Sequence, residues 1–207
     1  MKFHPEKTKA IVRGVYVSEH PDRSYKENDY AVTKAVTELI LTTEGVVGDR
    51  HFGYETISGG RQTNLYARGT PFRNNRQWSA ISPSEVTVIA QHLGIEGKLT
   101  PELLGVNLLI EGIDDLTQIA PMTYFTISPH KEFAAARHED VTLVVYAEAQ
   151  PCKYAGRALI APCDNPNLET AFPQGAIGLR GTTGWVEKGG IIRQGYTVWA
   201  MNPTGKD

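Results

Sequence analysis

The chain is poor in cysteine, lacks an excess of charge of either sign and has no long apolar run. Only Cys152 and Cys163 occur among 207 residues, too few for a disulfide scaffold, and no Cys-x-x-Cys supplies the usual zinc or thioredoxin spacing. Six His are scattered; none stands in His-Glu-x-x-His, and His138-Glu139-Asp140 lacks a second His, so a zinc hydrolase has little to build on. Lys and Arg total 21 against 23 Asp and Glu, a formal charge of -2, which offers no broad basic face for nucleic acid. No apolar stretch nears the roughly 20 residues needed to cross a bilayer, so no membrane partner is expected. The stretch Met1 to Lys7 carries charges and Pro5 where a secretory signal needs an apolar run, and the expectation is a cytoplasmic protein. Neither Gly-x-Gly-x-x-Gly nor Gly-Lys-Ser/Thr is present, and no motif specifies a nicotinamide, a flavin or an iron–sulfur centre.

What remains describes an ordinary globule, with 41% hydrophobic and 21% charged residues. Its length is most simply one domain over residues 1–207, with a core from about 10 to 200. Twelve Pro and twenty Gly favour turns over long helices. Branched and aromatic patterning predicts strands at 10–17, 35–41, 106–110, 123–128, 141–147, 184–187 and 196–200. Ser82-Pro83-Ser84-Glu85 has the capping residues of a helix start, Val86, Ile89, Ala90 and Leu93 give it an apolar face, and Gly94 ends it. Thr100-Pro101 starts a second, shorter one. Gly189-Gly190 predicts a hairpin, while the stretch from Gly53 to Gln77 has weak periodicity, a functional or mobile loop by its length. Strands outnumber helices and do not alternate with long ones, which predicts a mainly β fold: a closed or partly closed mixed β-barrel with a few short helices.

Cys152 carries the strongest chemical signal. It follows the predicted strand at 141–147, and Lys153 to Ile160 predicts two short helical turns, leaving the thiol at a helix N-terminus. Unpaired N–H groups there, with Lys153 and Arg157, favour the thiolate, the form that attacks electrophiles and binds metals. The alternative is a buried Cys acting as a small hydrophobe. Gly45-Val46-Val47-Gly48-Asp49-Arg50-His51-Phe52-Gly53 reads either as a ligand loop with Asp49, Arg50 and His51 as polar handles, or as a tight turn in which Asp49 bonds its own backbone. Asn107, inside an apolar strand, either orients a ligand or satisfies a loop carbonyl. Arg180 offers a planar fork for an anion, or is a solvated surface residue. Asp114-Asp115 reads as a loop cap.

Taken in order, Gly48-Asp49-Arg50-His51, Gly105-Val106-Asn107-Leu108, Pro151-Cys152, Arg180-Gly181 and Gly189 to Gly195 resemble the MOSC domain family, named for the C-terminal domain of molybdenum cofactor sulfurases. The resemblance spans about residues 10 to 200. It implies a MOSC-type β-barrel fold binding the molybdenum cofactor (molybdopterin), with Cys152 as metal ligand or sulfur carrier. It further implies Lys153, Arg157 and Arg180 as contacts for the cofactor phosphate or pterin, and Asp49, His51 and Asn107 shaping the pocket or handling protons. Val106 stands where many members have Glu, Tyr196 follows Gly195 where Asp is usual, and Ala120-Pro121-Met122 replaces a commoner Gly-containing turn. Three functions follow from the resemblance. The first is a reductase of N-hydroxylated small molecules, fed by a separate electron-donor protein with flavin or haem. The second is a sulfur carrier or transferase using a Cys152 persulfide, with Cys163 to resolve it. The third is a module that binds or delivers the cofactor without catalysis.

Overall fold

The computed structural model describes residues 7–59, 64–133 and 137–202; the N-terminal reading above falls almost wholly outside them. Thirteen strands occur among these residues. They are β1 (Lys7–Ser18), β2 (Thr33–Ala35), β3 (Leu39–Thr42), β4 (Gly45–Val46), β5 (Glu55–Ile57), β6 (Pro71–Arg73), β7 (Trp78–Ile81), β8 (Leu108–Glu111), β9 (Tyr124–Ser128), β10 (Val141–Glu148), β11 (Thr182–Lys188), β12 (Gly190–Ile192) and β13 (Thr197–Met201). The helices are α1 (Pro83–Leu93), α2 (Pro101–Leu104), α3 (Lys153–Ala158), α4 (Ile160–Cys163) and α5 (Leu168–Gly175). None of the described helices is long and apolar enough to cross a membrane.

Seven strands close into a barrel in the order β13-β9-β10-β11-β7-β8-β1, the last pairing back onto β13. Closure removes the free edges that would otherwise seek other chains. All neighbours are antiparallel except β7 and β8, where Ala80 and Ile81 pair with Leu108 and Leu109 in parallel. A parallel pair needs a long crossover, and the segment carrying α1 and α2 supplies it. α1 starts as its sequence predicts: the Ser82 side chain accepts from Glu85 N–H, the Glu85 carboxylate accepts from Ser82 N–H, and Gly94 closes the helix in the left-handed region at φ 62°. The Asp114 carbonyl accepts from the hydroxyls of Ser82 and Ser84, which ties the Asp114-Asp115 turn to the start of α1.

β1 pairs with β13, β8 and β2, and its register against β8 shifts between Val12 and Gly14. Before the shift Ala10 and Val12 point into the barrel; after it Val15 does so, while Tyr16 joins a second apolar cluster outside. Inside the barrel Trp78 and Phe125 meet with ring centroids 5.9 Å apart. The outer cluster, with Ile81, Ile89, Leu104, Leu159 and Phe172, fills the space beneath the helices. β7 is covered on both faces and all four of its residues are buried, which accounts for its lack of polar alternation. Val106, where many family members have Glu, is fully buried in the outer cluster.

Two expectations are corrected. The strand predicted at 35–41 is two strands, because Tyr16 to Ser18 pair with Thr33 to Ala35 whereas Leu39 to Leu41 pair with β12. Gly189-Gly190 is not a hairpin turn: β11 stays in the barrel with β10 and β7, while β12 crosses to a separate sheet with β3 and β4. A Cβ on Gly189 would stand 2.5 Å from the Leu41 carbonyl oxygen, so the glycine there serves a close backbone approach. The weakly periodic stretch from Gly53 to Gln77 contains the paired strands β5 and β6.

Candidate functional site

The site forms where the end of β1, the turn after β4, the approach to β8 and the start of α3 converge. The turn folds because Gly48 takes a positive φ of 80°, and Asp49 N–H donates to the Val46 carbonyl at 3.1 Å. Asp49 is buried, and both of its oxygens are occupied. Oδ2 accepts from Ser18 N–H (3.2 Å), Ser18 Oγ (3.0 Å) and Asn107 Nδ2 (2.9 Å). Oδ1 accepts from His51 N–H at 3.0 Å and lies 3.3 Å from His51 Nδ1. Burial alone would raise the Asp49 pKa; the hydrogen bonds and charge of His51, with the Asn107 amide, reverse that and hold it well below the usual carboxylate range.

Asn107 sits behind this carboxylate, not on the cavity wall. Its Oδ1 accepts from Ser79 N–H at 3.0 Å, and its Nδ2 donates to the Tyr16 carbonyl at 3.3 Å as well as to Asp49. Both readings of this residue meet here: the carboxamide satisfies a carbonyl, and it also positions a polar residue of the cleft. His51 is pushed below its ordinary pKa, first by burial and then by the charge of Arg76, against the pull of Asp49. An ionised Asp49 only accepts, so it selects the tautomer with the proton on Nδ1.

On the opposite wall the chain leaves β10, and Ala149 N–H donates to the Gly181 carbonyl at 3.0 Å. Cys152 then takes an extended conformation as the residue preceding α3, and its carbonyl accepts from Ala155 and Gly156 N–H. Gly156 is required by packing: a Cβ there would lie 2.4 Å from the Leu168 carbonyl oxygen of α5. The thiol is partly exposed. Facing it is Arg180, 4% exposed. Its Nη2 donates to the Leu104 carbonyl, whereas Nη1 is buried with no hydrogen-bond partner in the protein. Burial, then Arg76, lowers the Arg180 pKa to about 10, against the opposing pull of Cys152 and Glu85. The guanidinium therefore keeps its charge at neutral pH.

Cys152, Arg180, Asp49 and His51 line one cavity of about 200 Å³, together with Arg50 and Arg76. Arg50 lies over the Tyr30 ring at 4.2 Å, and its Nη1 is likewise buried without a partner. Three guanidinium groups thus share the cavity with a carboxylate already saturated with donors, which gives the cleft a cationic lining. No group of three or more His, Cys, Asp or Glu that could hold a metal ion exists among the described residues. Cys152 is the cleft's one soft ligand, so a metal there would bring its other ligands with it.

The remaining sequence candidates lie elsewhere. Lys153 is exposed, with its ammonium 5.7 Å from the Tyr154 ring centroid. Arg157 pairs with Glu169 at 2.6 Å and donates to the carbonyls of Tyr25 (3.3 Å) and Lys26 (3.2 Å). It fastens the segment that delivers Tyr30 and Ala31 to the wall. Cys163 is buried in the outer cluster, where burial pushes its thiol pKa up. Arg50 lines the cavity as one of the polar handles of the predicted loop, whereas sequence reasoning missed Arg76, which belongs to no motif.

Fold and site together define a small closed β-barrel protein with a cysteine at a cationic cleft. The chain belongs to the MOSC domain family, whose pattern matches residues 50–199. It is 32% identical over 168 residues, 81% of each chain, to the Bacillus subtilis (strain 168) protein called "Putative metal-sulfur cluster biosynthesis proteins YuaD". The crystal structure of YuaD protein from Bacillus subtilis superposes with a TM-score of 0.81 at 28% identity, covering 96% of this chain and 99% of that one. YiiM from Geobacillus stearothermophilus shares the fold at a TM-score of 0.57 and 13% identity, over 93% of this chain and 75% of that one.

Proposed function

We propose that the Cys152 cleft binds a molybdenum cofactor and that the protein reduces N-hydroxylated small molecules, with electrons from a separate flavin or haem protein. The observation that carries this reading is the buried, charged Arg180 with an unpartnered Nη1 beside Cys152. A buried charge with an open donor is costly unless an anion completes it, and MOSC domains are associated with molybdenum cofactor-related proteins. The residues fit such a group. Arg180, Arg50 and Arg76 would hold its anionic parts, and the Cys152 thiolate is a soft ligand suited to the metal. When bound, the cofactor supplies a two-electron redox centre.

The chain's own residues have separable duties. His51, neutral at neutral pH and fixed by Asp49, is able to accept or return a proton at its second ring nitrogen. Asp49 stays ionised and orients it, and Asn107 keeps Asp49 in place. Tyr30 and Tyr154 add aromatic surface to the lining of the cleft.

A second reading, sulfur transfer through a Cys152 persulfide, is favoured by the name of the YuaD relative and by the partial exposure of the thiol. Burial of Cys163 gives it no support as a resolving partner.

Elemental analysis of protein made in a host that synthesises the cofactor tests the leading reading. Near-stoichiometric molybdenum, lost in Cys152→Ser, supports binding, and turnover of a hydroxylamine-type substrate with a supplied reductant supports reduction. Folded protein without molybdenum overturns it, and a persulfide trapped on Cys152 in that material supports the second reading. Molybdenum without turnover reduces the protein to a cofactor-binding module.

A further inference from the structure

A second cavity of about 450 Å³ adjoins the first and shares His51, Arg76 and Gln150 with it. Its far wall is the β5–β6 hairpin, in which Thr56 pairs with Phe72. Asn74, just after β6, donates from its side chain to the carbonyls of His51 (2.7 Å) and Gly53 (3.0 Å). The hairpin is thereby fixed to the same turn that carries Asp49.

The lining is unusual for surface exposed to water. Of the twelve large hydrophobic residues left exposed among the described residues, Ile57, Leu65, Tyr66 and Tyr146 all line this one cavity. Such clustering marks a binding surface, whereas scattered exposed apolar residues do not. Tyr66 stacks on Phe72 with centroids 5.2 Å apart and planes 22° apart, and Tyr146 on β10 is exposed on the barrel side. The carboxylate in this wall, Glu148, accepts from Gly178 N–H at 2.8 Å. Cationic and proton-bearing groups, Arg76 and His51, stand only at the shared end.

We propose that this second cavity receives the flat, uncharged ring of a small-molecule ligand, packed against the Tyr66–Phe72 pair and Tyr146, with its polar substituent directed into the Cys152 cleft. Flat rings gain more from aromatic walls than saturated ones of the same size. Pockets of this volume bury most of a ligand with one or two fused rings. Only the direction of the substituent rests on the reading of the Cys152 cleft as the reacting end.

The test is calorimetric binding of naphthalene methanol and of its fully saturated counterpart to the intact chain, with molybdenum measured on the same preparations. Naphthalene methanol is expected to bind, and the saturated compound to bind about tenfold more weakly. Tyr66→Ala and Tyr146→Ser, both at exposed positions, are each expected to weaken the flat ring by about tenfold. No binding, equal binding of both compounds, or flat-ring binding untouched by both aromatic substitutions overturns the proposal. Ring binding by molybdenum-free protein removes only the cofactor reading; molybdenum-loaded protein that does not bind the ring removes only this one.

Discussion

The two walls of the Cys152 cleft are built from similarly polar groups in opposite states. On one wall Asp49, with Asn107 behind it, has every donor and acceptor matched within the protein, to Ser18, Tyr16, Ser79 and His51. Across from it Arg180 is buried with a guanidinium N–H left over, and the half-buried Arg50, next to Asp49 in sequence, points a second unmatched N–H into the protein. A satisfied buried network rigidifies a fold, whereas an unsatisfied buried cation is a liability that a ligand relieves. The first network is therefore complete within the fold, and the second is the part that the proposed anionic ligand would complete. Substitutions on the two should fail in different ways.

The largest stability effect is expected for Asn107→Ala. It leaves Ser79 N–H, the Tyr16 carbonyl and one oxygen of Asp49 short of a partner at the junction of β1, β7 and β8. Loss of about 2–4 kcal/mol in denaturant unfolding follows from that many orphaned groups. A loss under about 0.5 kcal/mol, the size of an ordinary surface change, would erase the distinction between the walls.

Arg180→Met is expected to behave in the opposite way. The Leu104 carbonyl loses a donor, but a buried charge is replaced by an apolar chain of similar length, so stability should change by no more than about 1 kcal/mol in either direction. Binding of inorganic phosphate to the cleft, measured by calorimetry, should fall at least about tenfold, the lower range for a hydrogen bond to a charged group. Retained phosphate affinity would mean that the anion site lies elsewhere.

Acid titration separates the walls again. Asp49 is held below its ordinary value of 3.8 when folded, so its contribution is fully present above that value and fades as pH falls through the lowered folded one. Asp49→Asn should cost stability at pH 7 and flatten the wild-type decline below about pH 4, while Arg180→Met leaves that decline intact. An Asp49→Asn profile parallel to wild type would remove the network from the acid limb.

How much of this was legible in the chain depends on whether the signal was local. Six of the seven barrel strands and the start of α1 were readable because alternation and capping are properties of neighbouring residues; β7, buried on both faces, has no alternation to read and was not predicted. Cys152 before a short helix was readable for the same reason. The closure of β1 onto β13 and the shift at Gly14 were not, since they depend on pairings remote in sequence. Family resemblance grouped Arg180, Lys153 and Arg157 as cofactor contacts; of the three, Arg180 lines the cavity with Cys152. Helical geometry turns Lys153 and Arg157 away. Arg76 had no local signal at all; it reaches the cleft only because β6 and β7 bring its segment there.

Arg157 offers the smallest and most local test. Its pairing with Glu169 and its bonds to the Tyr25 and Lys26 carbonyls are near the surface, so global stability should barely respond to Arg157→Gln. The segment from Glu19 to Val32, which has few regular backbone pairings of its own, should exchange its amide hydrogens faster by mass spectrometry. Because that segment brings Tyr30 against Arg50, phosphate affinity should drop slightly through Arg50 alone, with Asp49 and its acid profile untouched. Faster exchange around Asp49 as well would show that the two walls are mechanically one.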